Sequence, residues 1–324
     1  MFKSESARAT DRGKRWNLDK YSAVKDFEVS PHQASEIVSN MGKAGGFTGR
    51  NLAEASDILK KMWKERDCYK ILSFTADIVS TGLRGVVRQL LRDRKFDMVI
   101  TTCGTLDHDI ARSFAPYLEG DFALDDKLLL KKGYHRLGNI VIPKESYGPT
   151  IEKFLQPLLH ELYASGKKSL ASYELAWEAG KKMENKGSIL YWAARNNIPV
   201  IVPGISDGAF GSQLWLFYQT HRDFHVDILK DEQMVADAVF DSNKLGALMV
   251  GGGISKHHTI WWAQFKGGLD YAVYITTAVE YDGSLSGAWL REAISWGKVK
   301  PKAKHVTVYG DATAVLPFIV SSAL

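Results

Sequence analysis

Short apolar runs alternate with amphipathic segments along the chain from residue 70 onward. The segments include 79–94 and 232–243, where apolar residues recur at helical spacing. Strands that are apolar on both faces and alternate with helices are typical of a parallel sheet with helices packed on both sides. The pattern therefore predicts an α/β protein. Strands are expected at 70–75, 97–103, 138–143, 198–204, 247–253, 271–276 and 305–310.

The N-terminal part of the chain is patterned differently. Residues 1–28 carry many charges and little apolar periodicity, which fits an N-terminal arm and equally a frayed tail. The glycine-rich segment 40–51 predicts a loop, and Asn51 with Glu54 resembles a capping box that would begin a helix. Residues 70–324 show no break in composition, and we expect one domain over 29–324.

Small residues and carboxylates follow the predicted strands. Glycine lets the backbone approach a ligand closely, a following helix offers amides to a phosphate, and a carboxylate can bind ribose hydroxyls. Parallel strands end at one edge of the sheet, where ligands bind. These residues therefore predict a nucleotide site, and a dinucleotide site in particular. The candidates are Thr101, Thr102, Cys103, Gly104, Asp207, Gly208, Gly251, Gly252, Gly253, Thr277, Ala278, Asp282, Gly310 and Asp311.

The glycine run at 251–253 leads directly into a candidate for proton transfer. Lys256 stands where the third glycine of a GxGxxG fingerprint would be, so the match to that motif is incomplete. His257 and His258 follow, and an imidazole beside a cofactor loop can move protons near neutral pH. A structural role is the ordinary alternative for either histidine. No further ligands at metal-binding spacing are evident, so we expect no metal.

Composition narrows the class of protein. The chain has 324 residues, a formal net charge of +5 and 24% charged residues without long runs, which gives no reason to expect a nucleic-acid partner. No apolar run approaches the length of a membrane span, and the N-terminus lacks a signal-peptide core. Cys68 and Cys103 are the two cysteines, too few for a disulfide framework. We therefore expect a cytoplasmic protein.

The stretch EAISWGK at 292–298 carries the most specific chemistry. The sequence 287–298 predicts a helix in which Glu292 and Trp296 share a face. Gly297 would end the helix in a left-handed conformation, and Lys298 follows. An indole and a carboxylate together suit an organic cation. A lysine in the same pocket suits imine formation, provided that its amine is uncharged. The alternative from this stretch alone is an ordinary helix with a buried tryptophan, a solvated glutamate and a terminal lysine that favours the helix dipole.

These motifs resemble the deoxyhypusine synthase family. The similar blocks are TTCGTLDHD, RLGNIVIP, ILYWAARNNIPVIVPGISDG, GGGISKHH, DYAVYITTAVEYDGS, EAISWGK and VYGDAT, in the family's order over about residues 70–320. The resemblance implies a Rossmann-like, doubly wound, mostly parallel sheet that binds NAD, in a homotetramer (a dimer of dimers) with active sites at dimer interfaces. It also implies transfer of the 4-aminobutyl group of spermidine, through an enzyme-lysine imine, to one lysine of the translation initiation factor 5A precursor.

The resemblance also assigns roles to residues of this sequence. Lys298 would carry the imine and His257 would transfer a proton. Trp296, Glu292 and Tyr274 would line the amine site. The cofactor residues implied by the resemblance are Thr81, Thr102, Gly104, Asp207, Gly251, Gly252, Thr277, Asp282 and Asp311.

Four positions depart from the pattern of the eukaryotic enzyme. Two substrate aspartates are replaced by Ser212 and Leu285, an amine-site asparagine by Trp261, and a glutamate near the nicotinamide by His108. Buried cations need partners, so the loss of two carboxylates bears on the choice of amine. An archaeal-type enzyme with a differently lined tunnel is the favoured interpretation. The alternatives are a relative that uses another amine, such as putrescine or agmatine, and a non-catalytic NAD-binding scaffold.

Overall fold

The computed structural model describes residues 31–44 and 46–324. The predicted N-terminal arm over 1–28 lies outside these residues. The strands are β1 Cys68–Phe74, β2 Met98–Ile100, β3 Leu118–Glu119, β4 Tyr134–Leu137, β5 Ile140–Pro143, β6 Ser169–Leu170, β7 Val200–Ile201, β8 His225–Val226, β9 Lys244–Val250, β10 Leu269–Thr276 and β11 Val299–Tyr309. The helices are α1 Pro31–Ala44, α2 Phe47–Lys64, α3 Asp77–Ser80, α4 Leu83–Arg92, α5 Gly104–Phe114, α6 Asp126–Lys131, α7 Gly148–Ala164, α8 Ser172–Lys182, α9 Ile189–Asn196, α10 Ala209–Thr220, α11 Ile228–Asp241, α12 Gly253–Ala263, α13 Glu292–Ser295 and α14 Ala312–Ala323.

A parallel sheet forms the centre of the molecule and confirms the α/β prediction. Within the described residues, six strands pair in the order β11-β10-β9-β1-β2-β7, and every pairing is parallel. The strand β1 comes first in the chain and lies inside the sheet, so that later strands add on both of its sides. This order is that of a doubly wound sheet with its reversal between β1 and β9.

Alternate residues of the strands point into two separate cores. Leu72 and Phe74 of β1 pack on one face with the helices α2, α4 and α14, which we call the back face. Ile71, from the same strand, packs on the opposite face with α11 and α12, which we call the front face. Because successive side chains of a strand point to opposite sides, each strand contributes to both cores. Helices therefore cover both faces, as the apolar runs predicted.

The predicted strand at 138–143 does not belong to the central sheet. Residues 140–143 form β5, which pairs antiparallel with β3 and β4 in a separate three-stranded sheet of the described chain. An apolar run of four residues can form a strand in a small sheet as readily as in a central one. The run therefore predicted the strand but could not specify its partners.

Two local predictions near the N-terminus were wrong. Residues 40–44 end α1 and residues 47–51 begin α2, so the predicted loop over 40–51 is mostly helical. Asn51 lies inside α2 and does not cap it. Its side-chain amide donates to the carbonyl of Thr307 at 3.1 Å. The capping interpretation failed because the partner of Asn51 lies far away in the sequence.

Two predicted helices are shorter than expected. The segment 79–94 is divided by Thr81 and Gly82 into α3 and α4. The predicted helix over 287–298 is helical only at α13. Gly297 has φ +69°, which confirms the left-handed turn before Lys298.

Candidate active site

The reversal of strand order creates a crevice at the carboxyl ends of β1 and β9. Gly251 follows β9 with φ +75°, and its missing Cβ would lie 2.9 Å from Oγ1 of Thr75, the residue after β1. Gly253 also has a positive φ, +68°, and nothing lies within 4 Å of its missing Cβ. The backbone is thus open at the start of α12, where the first amides of a helix have no intrahelical partner. This is the position at which doubly wound sheets bind their ligands.

A first group of predicted cofactor residues lies beside β1 at this edge. The Thr102 hydroxyl accepts a hydrogen bond from the Ala76 amide at 3.1 Å. The missing Cβ of Gly104 would lie 2.9 Å from the Ala76 Cβ. Thr81 ends α3, where its hydroxyl donates to the Ile78 carbonyl at 2.7 Å. The structure therefore brings Thr102 and Gly104 together beside Ala76 at one corner of the crevice, whereas Thr81 contacts the end of α3.

Asp207 reaches the same corner through the segment after β7. The neighbouring Gly208 packs tightly, since its missing Cβ would lie 2.7 Å from the Asp107 carboxylate and 2.8 Å from Cys103 Sγ. Asp107 also accepts from the Ala209 and Phe210 amides at 2.9 and 2.7 Å, which fixes the start of α10. Burial raises the pKa of Asp107. The Asp207 side chain itself is exposed.

His108 occupies the second turn of α5, close to Gly104. Its Nδ1 lies 2.9 Å from the Tyr117 hydroxyl, and its Cδ2 lies 4.0 Å from the missing Cβ of Gly104. Burial, assisted by the charge of Arg112, lowers the pKa of His108 to about 4. The His108 ring is therefore uncharged at neutral pH. The glutamate expected at this position from the eukaryotic pattern would instead carry a negative charge.

A second group of predicted residues lies on the other side of β9, on the segment that joins β10 to β11. We call this segment, residues 277–298, the crossover. The missing Cβ of Gly252 would lie 2.2 Å from Oγ of Ser286 in the crossover. Asp282 accepts from the Ser284 amide at 2.7 Å, and Thr277 is exposed at the end of β10. The crossover thus rests directly on the glycine run.

Asp311 lies apart from the first group and on the side of the second, since the Gly310 amide donates to the Thr276 carbonyl at 3.0 Å. It begins α14 after β11, where its carboxylate accepts from the Thr313 amide at 2.9 Å. Four strand-to-strand steps separate β11 from β2, or about 19 Å at ordinary strand spacing. Within one chain, Asp311 and the group around Gly104 therefore lie at opposite ends of the edge.

Lys298 lies on the front face between two indoles. It precedes β11, is only 8% exposed, and its Nζ lies 5.1 Å from the Trp296 ring centroid and 5.3 Å from that of Trp261. Trp261 was predicted as a substitute for an asparagine, and Trp296 as the neighbour of Lys298. The two indole rings shield the Lys298 amine from most of the surrounding water. Both side chains remain partly exposed, Trp261 at 42% and Trp296 at 64%. Lys298 is therefore enclosed by aromatic faces that a second molecule can still reach.

His257 lies between the glycine run and the two indoles. It is on α12, one turn after Gly253, and its ring stacks on Trp261 with centroids 5.6 Å apart. Burial, and then the charge of Lys298, lower the pKa of His257. A neutral imidazole at pH 7 can accept a proton. His258 faces away toward Glu232, whose carboxylate lies 3.5 Å from its Nε2.

The remaining predicted amine-site residues differ in their surroundings. Tyr274 is fully buried, and its hydroxyl donates to the Ser286 carbonyl at 2.5 Å. Glu292 is exposed at the start of α13. Ser212 is exposed on α10, and its hydroxyl donates to the Gly208 carbonyl at 3.0 Å. Ser212 therefore belongs with Asp207 rather than with Lys298 within one chain.

Sequence reasoning missed the role of Lys256. This side chain is 1% exposed and donates to two carbonyls of the crossover. The sequence marked Lys256 only as a mismatch to a glycine motif. A lysine followed by two histidines near a glycine run gives no signal that its ammonium group is buried.

Metal ions and membranes are not indicated by the described part of the chain. Residues 31–44 and 46–324 contain no group of three or more histidine, cysteine, aspartate or glutamate side chains placed to hold a metal. None of the helices within these residues is both long and apolar enough to span a bilayer.

Comparison with known proteins gives a consistent family match. The family model for deoxyhypusine synthase matches residues 36–323. A protein named "Probable deoxyhypusine synthase" from Picrophilus torridus is 52% identical over 92% of this chain and 96% of its own length. Proteins of the same name from Thermoplasma acidophilum and Ignicoccus hospitalis are 51% and 50% identical, over 92% and 93% of this chain and 96% and 95% of their own lengths.

A solved structure supports the fold. A crystal structure of an Entamoeba histolytica protein that carries the same family name aligns with a TM-score of 0.61. The alignment covers 92% of this chain and 96% of the other, at 23% sequence identity. At that identity the likeness bears on the fold.

Proposed function

The chain belongs to the deoxyhypusine synthase family, and from this premise we propose that it uses NAD to move the 4-aminobutyl group of spermidine onto Lys298 and then onto one lysine of the translation initiation factor 5A precursor. The observation that carries the proposal is the position of Lys298. Its amine is buried between Trp261 and Trp296, beside a histidine of lowered pKa.

The residues at the carboxyl edge fit a dinucleotide. The open backbone at Gly253 and the positive φ of Gly251 form a cradle that a Cβ would obstruct. The start of α12 suits a pyrophosphate, and the exposed carboxylates of Asp207 and Asp282 suit ribose hydroxyls. Thr102, Gly104, Gly252 and Thr277 would line the same crevice. When bound there, NAD would supply the redox capacity for oxidising the amine and for reducing the product.

Lys298 supplies the nucleophile of the transfer. After giving up a proton, the Lys298 amine attacks the carbon of the oxidised donor, the bond to 1,3-diaminopropane breaks, and the aminobutyl group remains on Nζ as an imine. The amine of the acceptor lysine then attacks the same carbon and releases Lys298. The surrounding indoles exclude water, which protects the imine from hydrolysis.

In this proposal His257 transfers protons, and Glu292 binds a positively charged group of the donor. The neutral His257 imidazole can take a proton from the attacking amine and return it to the leaving amine. Glu292 lies close enough to Lys256 to affect the pKa of that lysine, and its side chain is exposed. It would bind the free ammonium end of the donor.

We further propose that the working enzyme is the homotetramer that the family resemblance implies, with sites completed between subunits. The separation of Asp311 from the group around Gly104 supports this proposal, because the two would meet more readily across subunits than within one. Exposed apolar residues on α10 add support, since large apolar patches commonly mark protein interfaces. They are Trp215, Leu216 and Tyr218.

The second candidate function is the same transfer with a different amine, and the charged residues near the site support it. Ser212 and Leu285 stand where carboxylates were expected, and the buried Lys256 adds a cation that contacts the crossover. A fully protonated polyamine needs more compensation than Glu292 alone provides. A donor or acceptor with fewer charges, such as putrescine, would fit this balance.

The proposed function is tested by a transfer experiment. The protein is incubated with NAD, labelled spermidine and an archaeal 5A factor precursor, and we expect label on one lysine of the factor. A parallel panel of small amines without the factor is analysed by mass spectrometry. Label on the factor alone supports the synthase, whereas products formed only from small amines support the second candidate. No product in either arm, with NAD binding demonstrated, would reject both.

A further inference from the structure

The buried Lys256 holds the crossover in place. Its Nζ donates to the carbonyls of Leu285 at 2.8 Å and Ala288 at 2.7 Å, and it lies 3.8 Å from the centroid of the Tyr274 ring. Burial lowers the pKa of Lys256 to about 8, and the charge of Glu292 opposes the shift. The ammonium group thus has two carbonyls and an aromatic face in place of water.

The same four residues of the crossover, 285–288, are held from β10 as well. The hydroxyls of Tyr274 and Thr276 both donate to the Ser286 carbonyl, at 2.5 and 3.0 Å. Ser286 in turn rests on Gly252 at a separation that leaves no space for a Cβ. Lys256 therefore completes a set of contacts that connects the glycine run, α12, β10 and the crossover.

This set of contacts lies between the two halves of the active site. Upstream of residues 285–288 the crossover carries Asp282, at the cofactor crevice. Downstream it carries Glu292 and Lys298. A shift of 285–288 would move both halves relative to α12, which carries His257.

We propose that Lys256 is a positioning residue that fixes the crossover on α12 and so sets the place of Lys298 relative to His257 and the glycine run. An apolar side chain of similar length would fill the same volume without the cost of burying a charge. Such an apolar side chain would lose the two charge-assisted hydrogen bonds to the crossover.

The test compares Lys256→Met with Lys256→Gln, which keeps an uncharged donor. Each variant is given NAD and spermidine, and the rate of borohydride-trapped adduct on Lys298 is measured together with NAD affinity and amide hydrogen exchange. We expect the methionine variant to form the adduct about a hundredfold more slowly, as small misplacements of reacting groups can cause. The glutamine variant should fall between it and the wild type. Exchange should accelerate in residues 277–291 and remain unchanged in α7.

Lys244→Met is the matched control, since Lys244 lies on β9 and pairs with Glu65 at 2.6 Å, away from the crossover. It should match the wild type in adduct rate and in exchange. A folded Lys256→Met that forms the adduct at the wild-type rate would overturn the inference. Loss of folding in both Lys256 variants would also overturn it, by assigning Lys256 to stability alone. The inference rests on the proposed role of Lys298, and a wild-type protein without any adduct would reject that role instead.

Discussion

Replacing Lys298 with alanine is expected to abolish adduct formation and aminobutyl transfer while leaving NAD affinity within about twofold of the wild type. Removing the nucleophile of a covalent mechanism commonly costs roughly 10⁴-fold or more in rate. NAD affinity should persist because Lys298 lies on the front face, before β11, whereas the cofactor crevice lies at the carboxyl edge. Transfer of labelled aminobutyl groups and a direct NAD titration measure the two effects.

Lys298→Arg is the control for charge. Arginine keeps a cation between the two indoles, but its guanidinium is not deprotonated in proteins and cannot form the imine. We expect it to be as inactive as the alanine variant. Substantial transfer by either variant would show that Lys298 is not the nucleophile.

Gly252→Ala should lower both the stability of the protein and its NAD affinity. The new Cβ would lie 2.2 Å from Ser286 Oγ and 2.4 Å from Ser286 Cα. Because the Cα belongs to the backbone, no change of rotamer relieves the contact, and the crossover must move. Overpacking of this kind costs about 1–3 kcal/mol in the free energy of unfolding. Displacement of both the glycine run and Asp282 should lower NAD affinity by more than tenfold.

Denaturant unfolding and NAD titration measure these losses. Gly148→Ala, in the first turn of α7, is the matched control, because nothing lies within 4 Å of its missing Cβ. It should unfold and bind NAD like the wild type. Wild-type NAD affinity in Gly252→Ala would contradict the close contact between the glycine run and the crossover.

The central sheet could be predicted from the sequence because its strands are apolar on both faces. Six of the seven predicted strands entered the parallel sheet. The exception, at 138–143, is equally apolar, but its partners β3 and β4 gave little signal of their own. Strand identity follows from local pattern, whereas strand partners depend on the whole chain.

Part of the candidate site could also be predicted from the local sequence. Gly297 and Lys298 form a short contiguous motif, and its left-handed turn and buried lysine are present. The contacts of Lys256 with Leu285 and of Gly252 with Ser286 join residues about thirty positions apart. Asn51 was misread because its amide pairs with Thr307. Such pairings depend on tertiary structure, which no local pattern contains.

Trapping of the imine tests the central claim most directly. The native protein is incubated with NAD and spermidine, reduced with borohydride, digested and mapped by mass spectrometry. The account predicts a single aminobutyl adduct, located on Lys298. An adduct on another lysine, or none under conditions where NAD is shown to bind, would contradict it.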